Sequence, residues 1–316
     1  LHQMSKILLS SYEGNLIGYE LNIDDKELKF NQEINCQEST KPIRSLVQHQ
    51  QHLYITKETQ VEKFNLVSRR MVNLIEVNDR VDSLLMLKEF LLVLHNDQIA
   101  VYDPQGELLL LTYKPKHKVL QLIKYNDSTF LALCKRYLLG FCLNKTQQVS
   151  QLELKDDFFA AQLLSEDSLA LLSERQLAKL DLKTGVTNQH WEGTGLNAFL
   201  FADSKFFAGQ QNGHFVVLDQ ELKVIKKYNL ETRIKKIFEL EEQMYCVVSP
   251  GTVKVVGFAE ELVEIGQKEF SVRLVDGIKW TDLEVEGVQE DAGMEEMEEM
   301  EEFEEWEENE ELGEKE

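Results

Sequence analysis

Apolar positions along this chain recur in short runs broken by a few polar residues. Seven of these runs end alike: LIGYEL at Leu21, VEKFNL at Leu66, IAVYDP at Pro104, LLGFCL at Leu143, LAKLDL at Leu182, FVVLDQ at Gln220 and VKVVGF at Phe258. Their marker residues are Tyr19, Phe64, Tyr102, Phe141, Leu180, Leu218 and Val256, which stand 45, 38, 39, 39, 38 and 38 positions apart. So even a recurrence is the mark of a repeated supersecondary unit. Each marker follows another apolar run across a tight polar break, as Phe90-Leu-Leu-Val-Leu precedes His-Asn-Asp-Gln. Such pairs predict buried strands joined by hairpins, and Asn212-Gly213 is the strongest single turn signal.

A second series supplies another strand to each unit. It begins at Ile43, Val81, Val119, Phe159, Leu196, Ile234 and Val272, with spacings of 38, 38, 40, 37, 38 and 38. Segments such as Glu107–Tyr113 and Lys223–Leu230 add a weaker outer strand. Four strands in about 38 residues is the arithmetic of a β-propeller blade. The two series are out of phase at the ends: the first hairpin, Ile7–Leu21, lacks a preceding inner strand, and the last inner strand, Val272–Trp280, lacks a following hairpin. Placing the last strand before the first hairpin removes both defects and leaves no raw sheet edge at the seam. The sequence therefore predicts an all-β, seven-bladed β-propeller over residues 1–281, closed by its C-terminal strand. A two-domain β protein would leave the phase unexplained.

Composition adds a boundary. The chain has 316 residues, 43% of them hydrophobic, enough for one large core or two ordinary ones. No apolar run approaches the roughly 18–20 residues that span a bilayer, and no signal-peptide pattern is present. No membrane association and an intracellular location are expected, with Met4 an alternative start to Leu1. The formal charge of −22 is uneven. Asp282–Glu316 carries 19 acids against Lys315 alone, so residues 1–281 are left at −4. A nearly neutral body is thus expected to end in an acidic, low-complexity tail over residues 282–316. In the tail, Met294, Met297, Met300, Phe303 and Trp306 recur at every third position. Steps of about 300° spread them too widely for one helical stripe, and dense Glu repels itself, so the tail is expected to be disordered. The five apolar residues are candidate anchors for a basic protein, with Glu steering the encounter.

Candidate chemistry is sparse. Cys36, Cys134, Cys142 and Cys246 form no CxxC pair, and the last three sit in apolar runs, which favours reduced thiols over a disulfide framework. Gly193-Thr-Gly195 lacks the rest of a phosphate loop. His49 and His52 read as a surface turn rather than a metal site. Asp156-Asp157 and Glu241-Glu242 read as solvated loop charge rather than an acid–base pair. No enzyme activity, cofactor or metal is expected. Basic groups punctuate the blades: Arg69-Arg70, Lys114/Lys116/Lys118, Lys226-Lys227 and Arg233/Lys235/Lys236. They are candidate rim contacts to rRNA phosphates or protein, with ordinary loop charge as the alternative.

Seven units of about 40 residues, three carrying Tyr102-Asp103, Leu180-Asp181 and Leu218-Asp219 near their ends, resemble the WD-repeat family. No Trp-Asp dipeptide or Gly-His opening is present, and His117 near Val119 is the nearest echo. Within that family, SKILLSSYEGNLIGYEL (Ser5–Leu21) and EFSVRLVDGIKW (Glu269–Trp280) are similar to the first blade and closing strand of the p21-activated-kinase-interacting-protein-like factors of large-ribosomal-subunit assembly. The resemblance implies a non-catalytic scaffold on pre-60S particles in the nucleus or nucleolus, with other assembly factors or ribosomal proteins as partners. That group usually ends in a Lys-rich tail, whereas this chain ends in Glu. An acidic chaperone for basic ribosomal proteins or histones, and a cytoplasmic WD-like adaptor in trafficking or signalling, are the alternatives.

Overall fold

Each of the repeated units folds into a four-stranded antiparallel meander, and seven such sheets stand in a ring in the computed structural model. The structure describes residues 3–280, apart from 25–26, 38–40, 104 and 106–107. Among these residues there are twenty-eight strands and no helix, hence no helix long and apolar enough to cross a membrane. The tail expectations at Met294, Met297, Met300, Phe303 and Trp306 lie outside the described residues.

The inner strands, from blade 1 to blade 7, are Leu274–Trp280, Ile43–His49, Val81–Leu87, Val119–Lys124, Ala160–Ser165, Leu196–Ala202 and Lys236–Glu241. Each touches the next in that order, and Lys236–Glu241 returns to Leu274–Trp280, so the ring is closed. In blade 1 the inner strand comes from the C-terminal side of the chain. It pairs antiparallel with Gln3–Ser11, which places Lys6 opposite Trp280 and Leu8 opposite Ile278. The remaining strands of that blade, Asn15–Asp24 and Glu27–Gln37, are 10 and 11 residues long, where most strands elsewhere have five to seven. Their length accounts for the 45-residue first spacing.

The core lies between neighbouring blades, because both faces of each sheet are covered. The second strand of most blades is accordingly a largely apolar run, as in Phe90–His95 or Met244–Ser249, the latter buried throughout. Outer strands such as Gln148–Glu153 and Thr187–Glu192 are largely exposed and polar. Amide side chains stitch adjacent inner strands. Gln121 accepts from the Ala161 N–H and donates to its carbonyl, at 2.7 and 3.0 Å. Gln162 does the same to Phe201 at 2.8 and 3.0 Å, and Asn197 donates to the Ile234 carbonyl at 2.7 Å. Each side-chain amide extends a backbone ladder from one blade to the next, satisfying polar groups that the ring would otherwise strand.

Candidate interaction surfaces

A meander of this kind puts its connections on two faces. The upper face carries the turn between second and third strands and the link to the next blade; the lower face carries the other two turns. Asn96-Asp97, on the upper face, and Asp203-Ser204, on the lower, have φ of 45°, 55°, 47° and 61°, as a two-residue primed turn requires. Gly213 has φ of 86°, and a Cβ there would stand 2.9 Å from the Thr232 backbone nitrogen, so the Asn212-Gly213 turn demands its glycine.

The four basic groups expected at the rim occupy different places. Lys114, Lys116 and Lys118 lie on the upper face, in the link between blades 3 and 4. Arg233 and Lys235 lie on the same face, three blades further round, and Lys236 opens the inner strand of blade 7. Lys226 and Lys227 sit within the outer strand Val224–Asn229 of blade 6. Arg69 and Arg70 are in a lower-face turn of blade 2. The fold therefore does not gather the ten residues into one patch.

Several are also occupied within the molecule. Arg69 pairs with Glu33 at 3.1 Å and lies over the Trp280 ring at 5.3 Å, while Lys6 lies over the same ring at 4.7 Å. These cations hold the closing strand against blade 2, since Trp280 is buried with Ile43, Leu53 and Phe64. Lys226 pairs with Glu261 at 3.2 Å, and Lys236 with Asp276 at 3.0 Å, whose charge holds the ammonium pKa above its ordinary value. Lys235 is shifted the other way, by burial and by Arg233. Arg233 itself donates to Asn197 at 3.4 Å. Lys114, Lys116, Lys118, Lys227 and Arg70 make no ion pair among the described residues.

His49 and His52 face each other across the two-residue turn Gln50-Gln51, where Gln50 has φ of 51°. His52 lies 3.4 Å from the Asn65 amide, and burial, with Lys63 and His49, lowers its pKa. Among the described residues no group of three His, Cys, Asp or Glu side chains is placed to hold a metal ion. Asp156 and Asp157 lie in the link from blade 4 to blade 5, as expected, and are held by Gln176 and Lys135. Glu241 differs from expectation, because it ends an inner strand rather than lying in a loop. There it receives Ser5 at 2.9 Å and Lys279 at 3.1 Å, tying blade 7 to blade 1. Cys134 and Cys246 are buried, and burial raises both thiol pKa values, Cys134 to about 11. Cys36 and Cys142 are half-buried.

No known family's sequence profile matches the chain, and no curated protein is similar to it in sequence. In fold it is similar to 1321 solved chains, a breadth that defines an architecture rather than a function. One belongs to a crystal structure of the mitotic checkpoint complex, with a TM-score of 0.65, 12% identity, and coverage of 74% of this chain and 79% of that one. The class is therefore a seven-bladed β-propeller.

Proposed function

We propose that this protein is a non-catalytic interaction scaffold that acts in assembly of the large ribosomal subunit, in the nucleolus. The observation that carries the reading is the composition of blade 1. Ser5–Leu21 and Glu269–Trp280, the two segments similar to the assembly factors, stand at opposite ends of residues 1–281, yet the first and the Leu274–Trp280 strand of the second build one sheet. Lys6 opposes Trp280, and Arg273 binds Glu13 through both its backbone N–H at 2.9 Å and its side chain at 3.2 Å. The likeness thus falls on one contiguous structural unit. A rigid ring presenting loops on two faces also suits the simultaneous binding of several partners. The mitotic checkpoint complex, too, is by its description a multi-component assembly.

The test is an affinity purification of the tagged protein at physiological salt, comparing full length with a chain ending near Gly287. Large-subunit precursor proteins and rRNA recovered with both forms are expected. Recovery of a few basic proteins that disappear with the tail, and no rRNA, would replace this reading by the acidic chaperone. Recovery of cytoplasmic partners alone would replace it by the adaptor.

A further inference from the structure

The upper corner of blade 4 gathers cations that are scattered in sequence. The link from blade 3 (residues 114–118) and the link to blade 5 (residues 154–159) both close onto the Lys135-Arg136 turn. Cys134 Sγ lies 3.7 Å from the His117 carbonyl oxygen. The Leu154 N–H donates to the Arg136 carbonyl and the Phe158 N–H to the Lys135 carbonyl, both at 2.8 Å. Arg136 Nη2 donates to the Lys155 carbonyl at 3.4 Å. Lys114, Lys116, Lys118, Arg136 and Lys155 therefore share one corner; all are exposed, and none makes an ion pair among the described residues. Carboxylates are present too: Asp157 is engaged with Lys135 at 3.2 Å and Asp156 with the Gln176 amide at 2.8 Å, while Glu153, opposite Tyr137 in the strand pairing, is exposed. Asp97 is close enough to act electrostatically on Cys134. Within the cations, the His117 ring stacks on Tyr137 at 3.9 Å and 14°, and both rings are half-exposed.

We propose that this corner binds single-stranded RNA, a step that rests on the ribosome-assembly reading and assigns the RNA contact within it. Lysine and arginine heads that make no ion pair among the described residues attract backbone phosphates with little demand on sequence. A half-exposed aromatic pair beside them offers a π face on which an unpaired base can stack. An acidic peptide would use the cations but gain nothing from the rings. A duplex hides its bases and cannot reach them.

The experiment is titration of a labelled oligouridylate of about 12 nucleotides with the full chain, across salt concentrations from about 50 to about 200 mM. The wild-type log affinity is expected to fall linearly with log salt. Combining Lys114→Ala, Lys116→Ala and Lys118→Ala should lower the slope by about 2, at roughly 0.7 per lost contact, and weaken binding at least about tenfold at the low-salt end. His117→Ala should weaken binding by about five- to a hundredfold with the slope unchanged, since stacking carries no counterions. Lys226→Ala with Lys227→Ala, on the outer strand of blade 6, should leave both quantities at wild-type values. The substituted side chains of 114, 116 and 118 are exposed, so thermal melting should confirm an intact fold. The proposal is overturned if the wild-type chain does not bind, if the triple variant binds like wild type, or if polyglutamate or duplex RNA competes as well as oligouridylate. No ribosomal component enters this assay, so its failure is distinct from failure to recover precursor particles in the purification.

Discussion

At the scale of single residues, a few part-buried polar contacts add to the apolar packing at the blade junctions. Tyr245 donates to Asp203 across blades 6 and 7 at 2.5 Å, and the same carboxylate receives the Gln243 N–H at 2.9 Å. Asp203 also tolerates the left-handed φ of its turn. Asp203→Ala should therefore cost about 2 kcal/mol in a denaturant melt, and Asp203→Asn distinctly less, since Asn keeps an acceptor and the turn preference. His95 supplies a pH dependence. Among the described residues its Nδ1 is buried without a partner, and burial lowers its pKa against a smaller opposing pull from Asp79. A lowered histidine pKa favours the folded state above the unfolded value of about 6.5, and that contribution is lost as pH falls through the folded value. The melting temperature should accordingly drop between about pH 7.5 and pH 5.5. His95→Gln should flatten the drop; an unchanged slope would assign it elsewhere.

At the scale of elements, blade 1 bears most of the consequence. Trp280 fills the junction to blade 2 and lies under two cations. Trp280→Ala should cost about 3–5 kcal/mol. A chain stopped at Arg273 loses the whole inner strand, leaves the edge of Gln3–Ser11 unpaired, and should elute as aggregate rather than monomer in size-exclusion chromatography. Strand number, hairpin phase and the closing strand were legible in the sequence because buried strands read as apolar runs and their spacing is regular. The interaction surface was not. Lys135-Arg136 and Lys155 stand in separate connections of blade 4, and only the folded link from blade 3 brings Lys114, Lys116 and Lys118 beside them. Arg69 read as a free rim cation because its ring partner, Trp280, is more than two hundred residues away. One signal was available: Gln121 and Gln162 interrupt apolar runs at matching places, which is where an inter-blade amide must stand.

At the scale of the molecule, the ring is similar in fold to a solved chain at 12% identity, so architecture here depends on pattern more than on particular side chains. That tolerance does not extend to the seam. Gln3–Ser11 and Leu274–Trp280 are partners separated by almost the full body. During synthesis the early strand must wait for the late one. At about 5–20 residues per second, its edge stays open for roughly tens of seconds while six blades form beside it. A nascent chain of this protein is thus at its most adhesive long before it is finished, and holding that one strand apart from its neighbours on the polysome is work for a chaperone rather than for the fold.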